Sequence, residues 1–293
     1  MRAWWWVAAL AAVTGCAAQP SAQLPVQPSS QPSAQPSAQP SAQPSAQPAP
    51  QQPAWSPGQE PTPDRPAADP ETLAKRLTGM QRDWPAPDTS CDRCVALTFD
   101  DGPGRYTTRL LAALRAHGAR ATFFVVGEMA AAPGGAARLR RIASEGHELG
   151  NHSWTHTQLT TLPRRLIARE LQRTGDVVRY ATGVRMHLMR PPYGSTDRRV
   201  AAESRRRGLA QILWNVDTYD WRDRVPKVVA RRAARAKPGS VVLLHDIHRT
   251  TVKAVPRVLD ALTRKGYRLV TVSELYGSAP EPGRRYRRAH PDQ

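Results

Sequence analysis

The chain has 293 residues, 28 of them proline, and a formal net charge of +18 that is mostly arginine. That length allows one large domain or two small ones, and a proline-rich, repetitive first third excludes that part from any packed core. The charge does not indicate nucleic acid, because no stacking aromatics accompany the arginines; an anionic wall or membrane surface accounts for it, as does arginine-rich codon usage.

The N-terminus reads MRAWWWVAALAAVTGC. Arg2 supplies a charge, Trp4 to Val13 an apolar core, and Val13-Thr14-Gly15-Cys16 a stretch of small residues before a cysteine. This is the outline of a bacterial export signal, too short for a transmembrane helix. Its last four residues resemble a lipobox, so residues 1–16 are expected to be a lipoprotein-type signal peptide with Cys16 as the lipidation site. Cleavage of an ordinary signal near Ala17 or Ala18 is the alternative. Residues 17–90 then form a Pro/Gln/Ser/Ala-rich disordered linker, built on a Gln-Pro-Ser-Ala repeat from Gln27. Proline at every fourth position removes backbone donors and fixes φ, which leaves an extended tether of roughly 3 Å per residue. The chain is expected to be exported and lipid-anchored to the cell membrane, facing the cell wall. With Cys16 lipidated, Cys91 and Cys94 read as a short disulfide rather than a redox centre or zinc knuckle.

Residues 91–278 can hold one domain with a sizeable core. Val95–Phe99 is a strand candidate, followed by a helix over Thr108–His117 with apolar Leu110, Leu111 and Leu114. Ala121–Val126 is the next strand, Gly135–Ser144 a helix, and His147–Gly150 a short strand. Thr161 and Pro163 open a further helix. Strands follow near Leu188, at Leu209–Trp214, at Val241–Leu244 and at Tyr267–Val272, and residues 279–293 read as a solvated basic tail. Such alternation implies parallel βα units in an α/β sheet or barrel, whose sites lie at the C-terminal ends of strands.

One such end is CVALTFDDGPG, where Asp100 and Asp101 stand side by side. A turn accounts for them, and so does a site in which two carboxylates do different work. In GNHSWTHTQL, His152 and His156 are four apart, a helical or tight-loop spacing that lets both share a metal. Two histidines and an aspartate leave room for water, as catalytic zinc prefers. The chain also contains RPPYG (Arg190–Gly194), DTYDW (Asp217–Trp221) and LLHD (Leu243–Asp246), each at the end of a strand candidate.

These five motifs in this order resemble the polysaccharide deacetylases, the NodB-homology family also called carbohydrate esterase family 4, over about Cys94–Leu275. The resemblance implies a distorted (β/α) barrel and metal-dependent removal of acetyl groups from glycans. It implies Asp101, His152 and His156 as ligands of a divalent metal, Zn2+ first, with Co2+ or another ion able to serve. It implies Asp100 as general base, His245 as general acid with Asp220 as its partner, and Arg190 as the residue that holds the base. The backbone N–H of Tyr193 would be the oxyanion donor, and Trp221 and Leu243 would line the acetyl pocket, although as single apolar residues they also read as core. Asp217 reads as a structural hydrogen-bonding residue, His147 as a structural strand residue, Asn151 as a support for His152, and Asp246 and His248 as rim residues. The expected substrate is an acetylated cell-envelope glycan, peptidoglycan N-acetylglucosamine first. A chitooligosaccharide or acetylxylan deacetylase and a non-catalytic wall-binding lipoprotein are the alternatives.

Overall fold

In β1 (Cys94–Asp100) every residue is buried, as in a central strand covered on both faces. Val95, Leu97 and Phe99 join one apolar cluster, while Cys94 and Ala96 join a second, the period-two alternation of a strand. The computed structural model describes residues 91–278 and 280–289. The signal segment and linker expected over residues 1–90, Cys16 included, lie outside the described residues.

After β1 come α1 (Thr107–Ala116), β2 (Thr122–Val125), α2 (Gly127–Ala131), α3 (Gly135–Ser144), β3 (Glu148–Asn151), α4 (Arg164–Thr182) and β4 (Leu188–Met189). The second half contains α5 (Arg198–Arg206), β5 (Ala210–Ile212), β6 (Val216–Asp217), α6 (Asp220–Asp223), α7 (Pro226–Ala233) and β7 (Val241–His245). It closes with α8 (Arg249–Arg264), β8 (Arg268–Val270), α9 (Val272–Tyr276) and β9 (Arg285–Tyr286). The strands form one sheet in the order β6-β7-β1-β2-β3-β4-β5-β9, with β8 also on β1. Neighbouring strands run parallel, and the sheet curls as expected of a distorted (β/α) barrel.

Two cores follow from this curl. Outside, the helices lay apolar stripes on the sheet: α4 buries Ile167, Leu171, Thr174 and Val178, and α8 buries Val252, Val255, Val258, Leu259 and Leu262. Those are helical spacings of one inward face. Inside, Cys94, Ala96, Phe124, Leu188, Ala210, Ile212, Val241 and Val270 fill the barrel. Cys91 and Cys94 are disulfide-bonded, with Cα atoms 5.3 Å apart.

The segment expected to be a solvated basic tail is instead, over residues 280–289, a strap. β9 pairs in parallel with β5, and Ser240 and Arg288 form an antiparallel bridge, so the strap links β5 to the start of β7. Two apolar residues among the arginines provide the reason: Tyr286 packs edge-on against Tyr276 at 5.0 Å, and Ala289 is buried in the inner core. At Gly239, with φ of +78°, a Cβ would lie 2.2 Å from the Ala289 carbonyl, so the strap docks where no side chain fits.

A chain ending at Ser278 loses the backbone bonds Gln211 N–Arg284 O, Leu213 N–Tyr286 O, Gly283 N–Leu209 O and Ala289 N–Gly239 O. At about 1 kcal/mol each, urea denaturation of that truncated chain is expected to show a loss on the order of 4 kcal/mol; an unchanged midpoint would mean the strap does not support the barrel.

Candidate active site

The inner face of β1 turns polar toward its C-terminal end. Thr98 donates to the Val242 carbonyl at 2.7 Å, and Asp100 sits in register with Phe124 of β2 and His245 of β7. Continuing the strand would send the next side chain to the opposite face. Asp101 instead takes φ of 73°, and its carboxylate joins the same site as that of Asp100. Gly102 makes the turn possible: a Cβ there would lie 2.2 Å from the carboxylate of Asp246.

Asp246 is therefore no rim residue. It is fully buried beneath the turn, hydrogen-bonded by the Thr107 hydroxyl, and burial with the nearby charge of Asp101 pushes its pKa up to about 7. His248 is half-buried, its ring 6.0 Å from that of His245.

Arg190 follows β4 and is completely buried, which charged residues almost never are unless paired. Its guanidinium donates to Asp100 Oδ1 at 2.7 Å, Thr98 Oγ1 at 2.8 Å, and the carbonyls of Ile212 at 3.0 Å and Leu213 at 3.3 Å. It lies over Phe124 at 4.2 Å and Trp214 at 5.5 Å. Burial pulls its pKa below the usual range, and the Asp100 charge opposes this. Its carbonyl accepts from His152 Nδ1 at 2.7 Å. A donating Nδ1 leaves Nε2 as the lone-pair nitrogen, the usual preparation of a metal-ligating histidine.

His152 and His156 lie in a loop, not on the helical turn their spacing also fits. Ser153 and His156 have φ of 65° and 60°, and the imidazoles of His152 and His156 meet edge-on at 4.9 Å. Asn151 supports this loop differently from expectation: its side chain takes the Ser153 amide at 2.9 Å and donates to the Leu171 carbonyl at 2.8 Å, without touching His152. Glu170 on α4 accepts from the amides of Trp154 and Thr155 at 2.9 and 2.8 Å. Nothing in the helical pattern distinguishes Glu170 from other polar flanking residues, so sequence reasoning missed it.

Asp101 Oδ1 stands 3.5 Å from His152 Nε2 and 3.3 Å from His156 Nε2, and is a buried atom with no hydrogen-bond partner. All three ligand atoms lie within 4.8 Å of one another. Around a tetrahedral ion bound at about 2.0–2.1 Å, ligand atoms sit about 3.3 Å apart, so this donor set fits a divalent metal with one position open. Burial raises the pKa of Asp101, but His152, helped by the charges of His245 and His156, brings it down to about 2. Asp100 Oδ2 is 3.7 Å from His152 Nε2, beside this cluster.

Opposite stands His245. Its Nδ1 meets Asp220 Oδ1 at 2.9 Å, and its amide donates to Asp220 Oδ2 at 2.8 Å. Burial lowers the imidazole pKa, but the Asp220 hydrogen bond and charge, with Asp100 and Asp101, carry it up to about 9. Asp220 is fully buried and also accepts from the hydroxyls of Thr251 at 2.6 Å and Thr218 at 3.2 Å. Neither threonine carries a sequence signal.

Tyr193 has φ of 60°, uncommon for a residue with a Cβ, and its ring packs edge-on against His156 at 4.8 Å. Leu243 is buried on the inner face two residues before His245, while Trp221 is 46% exposed at the mouth and so is not core. Asp217 accepts from the Tyr219 amide at 2.7 Å, and His147 is buried beside Phe123, 5.5 Å between rings.

The chain is similar to known proteins. The model of the polysaccharide deacetylase family matches residues 88–212. A peptidoglycan-N-acetylglucosamine deacetylase of Listeria monocytogenes is 39% identical over 202 residues, 68% of this chain and 42% of its own length, so the chain spans about two-fifths of that relative. A chitooligosaccharide deacetylase of a Bradyrhizobium strain is 34% identical over 206 residues, with 64% of this chain and 93% of the relative covered. A family 4 carbohydrate esterase from Streptomyces lividans, solved in complex with acetate, superposes with a TM-score of 0.61 at 35% identity, over 66% of this chain and all of that one. Five motifs gathered at one barrel mouth, and a relative matched over nearly its whole length, place this chain in the polysaccharide deacetylase family.

Proposed function

We propose that this domain is a metal-dependent hydrolase that removes acetyl groups from a cell-envelope glycan, the N-acetylglucosamine of peptidoglycan first. The observation that carries this reading is the asymmetry of two adjacent carboxylates. Asp101 turns an otherwise unpartnered oxygen toward two histidine nitrogens, while Asp100, bound by Arg190 at 2.7 Å, stands beside them.

Asp101, His152 and His156 hold the ion, zinc by its donor set, with cobalt or another divalent ion able to serve. When bound, such an ion polarises the acetamide carbonyl and makes water more acidic. Asp100 takes a proton from the attacking water, and Arg190 fixes the direction from which it does so. The Tyr193 backbone N–H donates to the oxygen that becomes negative as the carbonyl carbon turns tetrahedral. Protonated His245 gives its proton to the nitrogen as the C–N bond breaks, leaving acetate and an amine. Trp221 and Leu243 border the acetyl methyl. Export, lipid attachment at Cys16 and the proline-rich tether bring the domain to the wall; the basic charge and the activity named for the Listeria relative favour peptidoglycan.

Acetate release from purified peptidoglycan, chitooligosaccharides and acetylxylan, with defined metal, tests the substrate. Release from xylan alone removes the peptidoglycan assignment, and release from none leaves a non-catalytic wall binder. Asp100→Asn is expected to lower kcat by roughly 10²–10⁴-fold, the usual weight of a general base, with metal affinity by calorimetry nearly unchanged. Chelation is expected to silence the wild type, and undiminished turnover after either treatment refutes the mechanism.

His245 must carry a proton to act, so activity falls as pH rises through its pKa. Asp220→Asn removes the charge that holds this pKa near 9. The alkaline limb of kcat/KM is expected to move down by roughly one to two pH units, and an unmoved limb would show that His245 is not the acid.

A further inference from the structure

β6 is an edge strand of the sheet, and outside it lies a cavity of about 350 Å³. Asp217 and Tyr219 form its upper end, and Arg232, Arg235, Lys237 and Arg288 line its side and floor. Arg232 is committed to the fold, through Asp223 at 2.5 Å and the Thr218 carbonyl at 3.0 Å. Arg235, Lys237 and Arg288 pair with no carboxylate among the described residues, and they reach the cavity from two separate parts of the chain. The strap brings Arg288 there, through its bridge to Ser240. Three unpaired cations against the single carboxylate of Asp217 repel one another, and an anion in the cavity relieves that repulsion.

The cavity nears the catalytic mouth on its Asp217–Tyr219 side, while Arg288 bridges Ser240, five residues before His245 and about 17 Å down β7. Asp217 is in register with Leu243, and His245 lies two residues further along β7, about 7 Å up the strand. Tyr219 and Asp220 are consecutive, so the cavity's upper rim and the partner of His245 belong to one turn. The ring of Tyr219 carries the guanidinium groups of Arg222 at 4.5 Å and Arg232 at 5.2 Å, which fix it at this rim.

We propose that Arg235, Lys237 and Arg288 form a subsite for carboxylates of a peptide substituent that extends from the glycan at the mouth down the edge of β6. This rests on the peptidoglycan reading above, and it names what would separate that polymer from neutral chitin-like chains: peptidoglycan bears carboxylates on its peptide substituents, and chitooligosaccharides bear none.

The test uses the full chain and the combined variant Arg235→Gln, Lys237→Gln, Arg288→Gln, with circular dichroism to verify folding. The ratio of kcat/KM on peptidoglycan to that on a chitooligosaccharide is expected to fall about tenfold, the sum of three modest ionic contacts, and to fall through KM. Cosedimentation with purified peptidoglycan is expected to weaken in wild type when the polymer's carboxylates are amidated, and in the variant to be weak throughout. The charge-keeping pair Arg235→Lys, Arg288→Lys is expected to retain the wild-type preference. Acetate release with an unchanged ratio, or sedimentation indifferent to amidation, overturns the subsite and leaves the deacetylase reading intact. Amidation-sensitive sedimentation that the triple variant abolishes, without acetate release from any glycan, sustains the subsite and removes the deacetylase reading.

Discussion

The ion pair between Arg190 and Asp100 is the constraint on which the rest of this barrel depends. Arg190 enters after β4, yet its donors end on β1 and on the carbonyls at the end of β5, so it crosses the interior like a spoke. A buried guanidinium is costly to desolvate, and removing one partner from such a pair typically costs about 3–5 kcal/mol. Here the cost is met by carbonyls, a hydroxyl and two aromatic faces as well as by the carboxylate. The same residue's carbonyl orients His152. One side chain and one peptide group therefore couple Asp100 to the cluster of Asp101, His152 and His156.

Around that spoke, three aspartates share a small volume without sharing a role. Asp100 is held by a permanent cation. Asp101, turned by its positive φ, faces the imidazoles of His152 and His156, and its pKa is brought down to about 2. Asp246, below them, meets the Thr107 hydroxyl and, more weakly, the charge of His245, and burial still moves it toward the neutral form. The carboxyl that would add most to the repulsion is thus the one that most readily takes a proton.

Much of this was legible in the sequence because the functional residues close strands, where a run of apolar β-formers ends in a polar cluster. Asp100, Asp101, Arg190 and His245 could be placed that way. The loop carrying His152 and His156 was read only in part, since histidines four apart meet on a helix and equally in a turn with two left-handed residues. Burial of Arg190 was not legible, because arginine is ordinarily a surface residue. Nor was the strap: Tyr286 and Ala289 are two apolar residues among arginines, without a period to announce a strand. Glu170, Thr218 and Thr251 act through hydrogen bonds set by tertiary approach, which local sequence does not encode.

The charge of the site follows from these placements. Asp100 is paired with Arg190 and Asp220 with His245, which leaves Asp101 with an oxygen that has no hydrogen-bond partner. An unpartnered oxygen between two imidazole nitrogens is what a divalent cation would compensate most completely. With such an ion bound, the mouth would gain positive charge where a carbonyl oxygen would acquire negative charge, and a developing oxyanion would meet a preorganised field rather than a reorganising solvent. The acidic pair at the end of β1 is therefore intelligible only together with the cation it is arranged to hold.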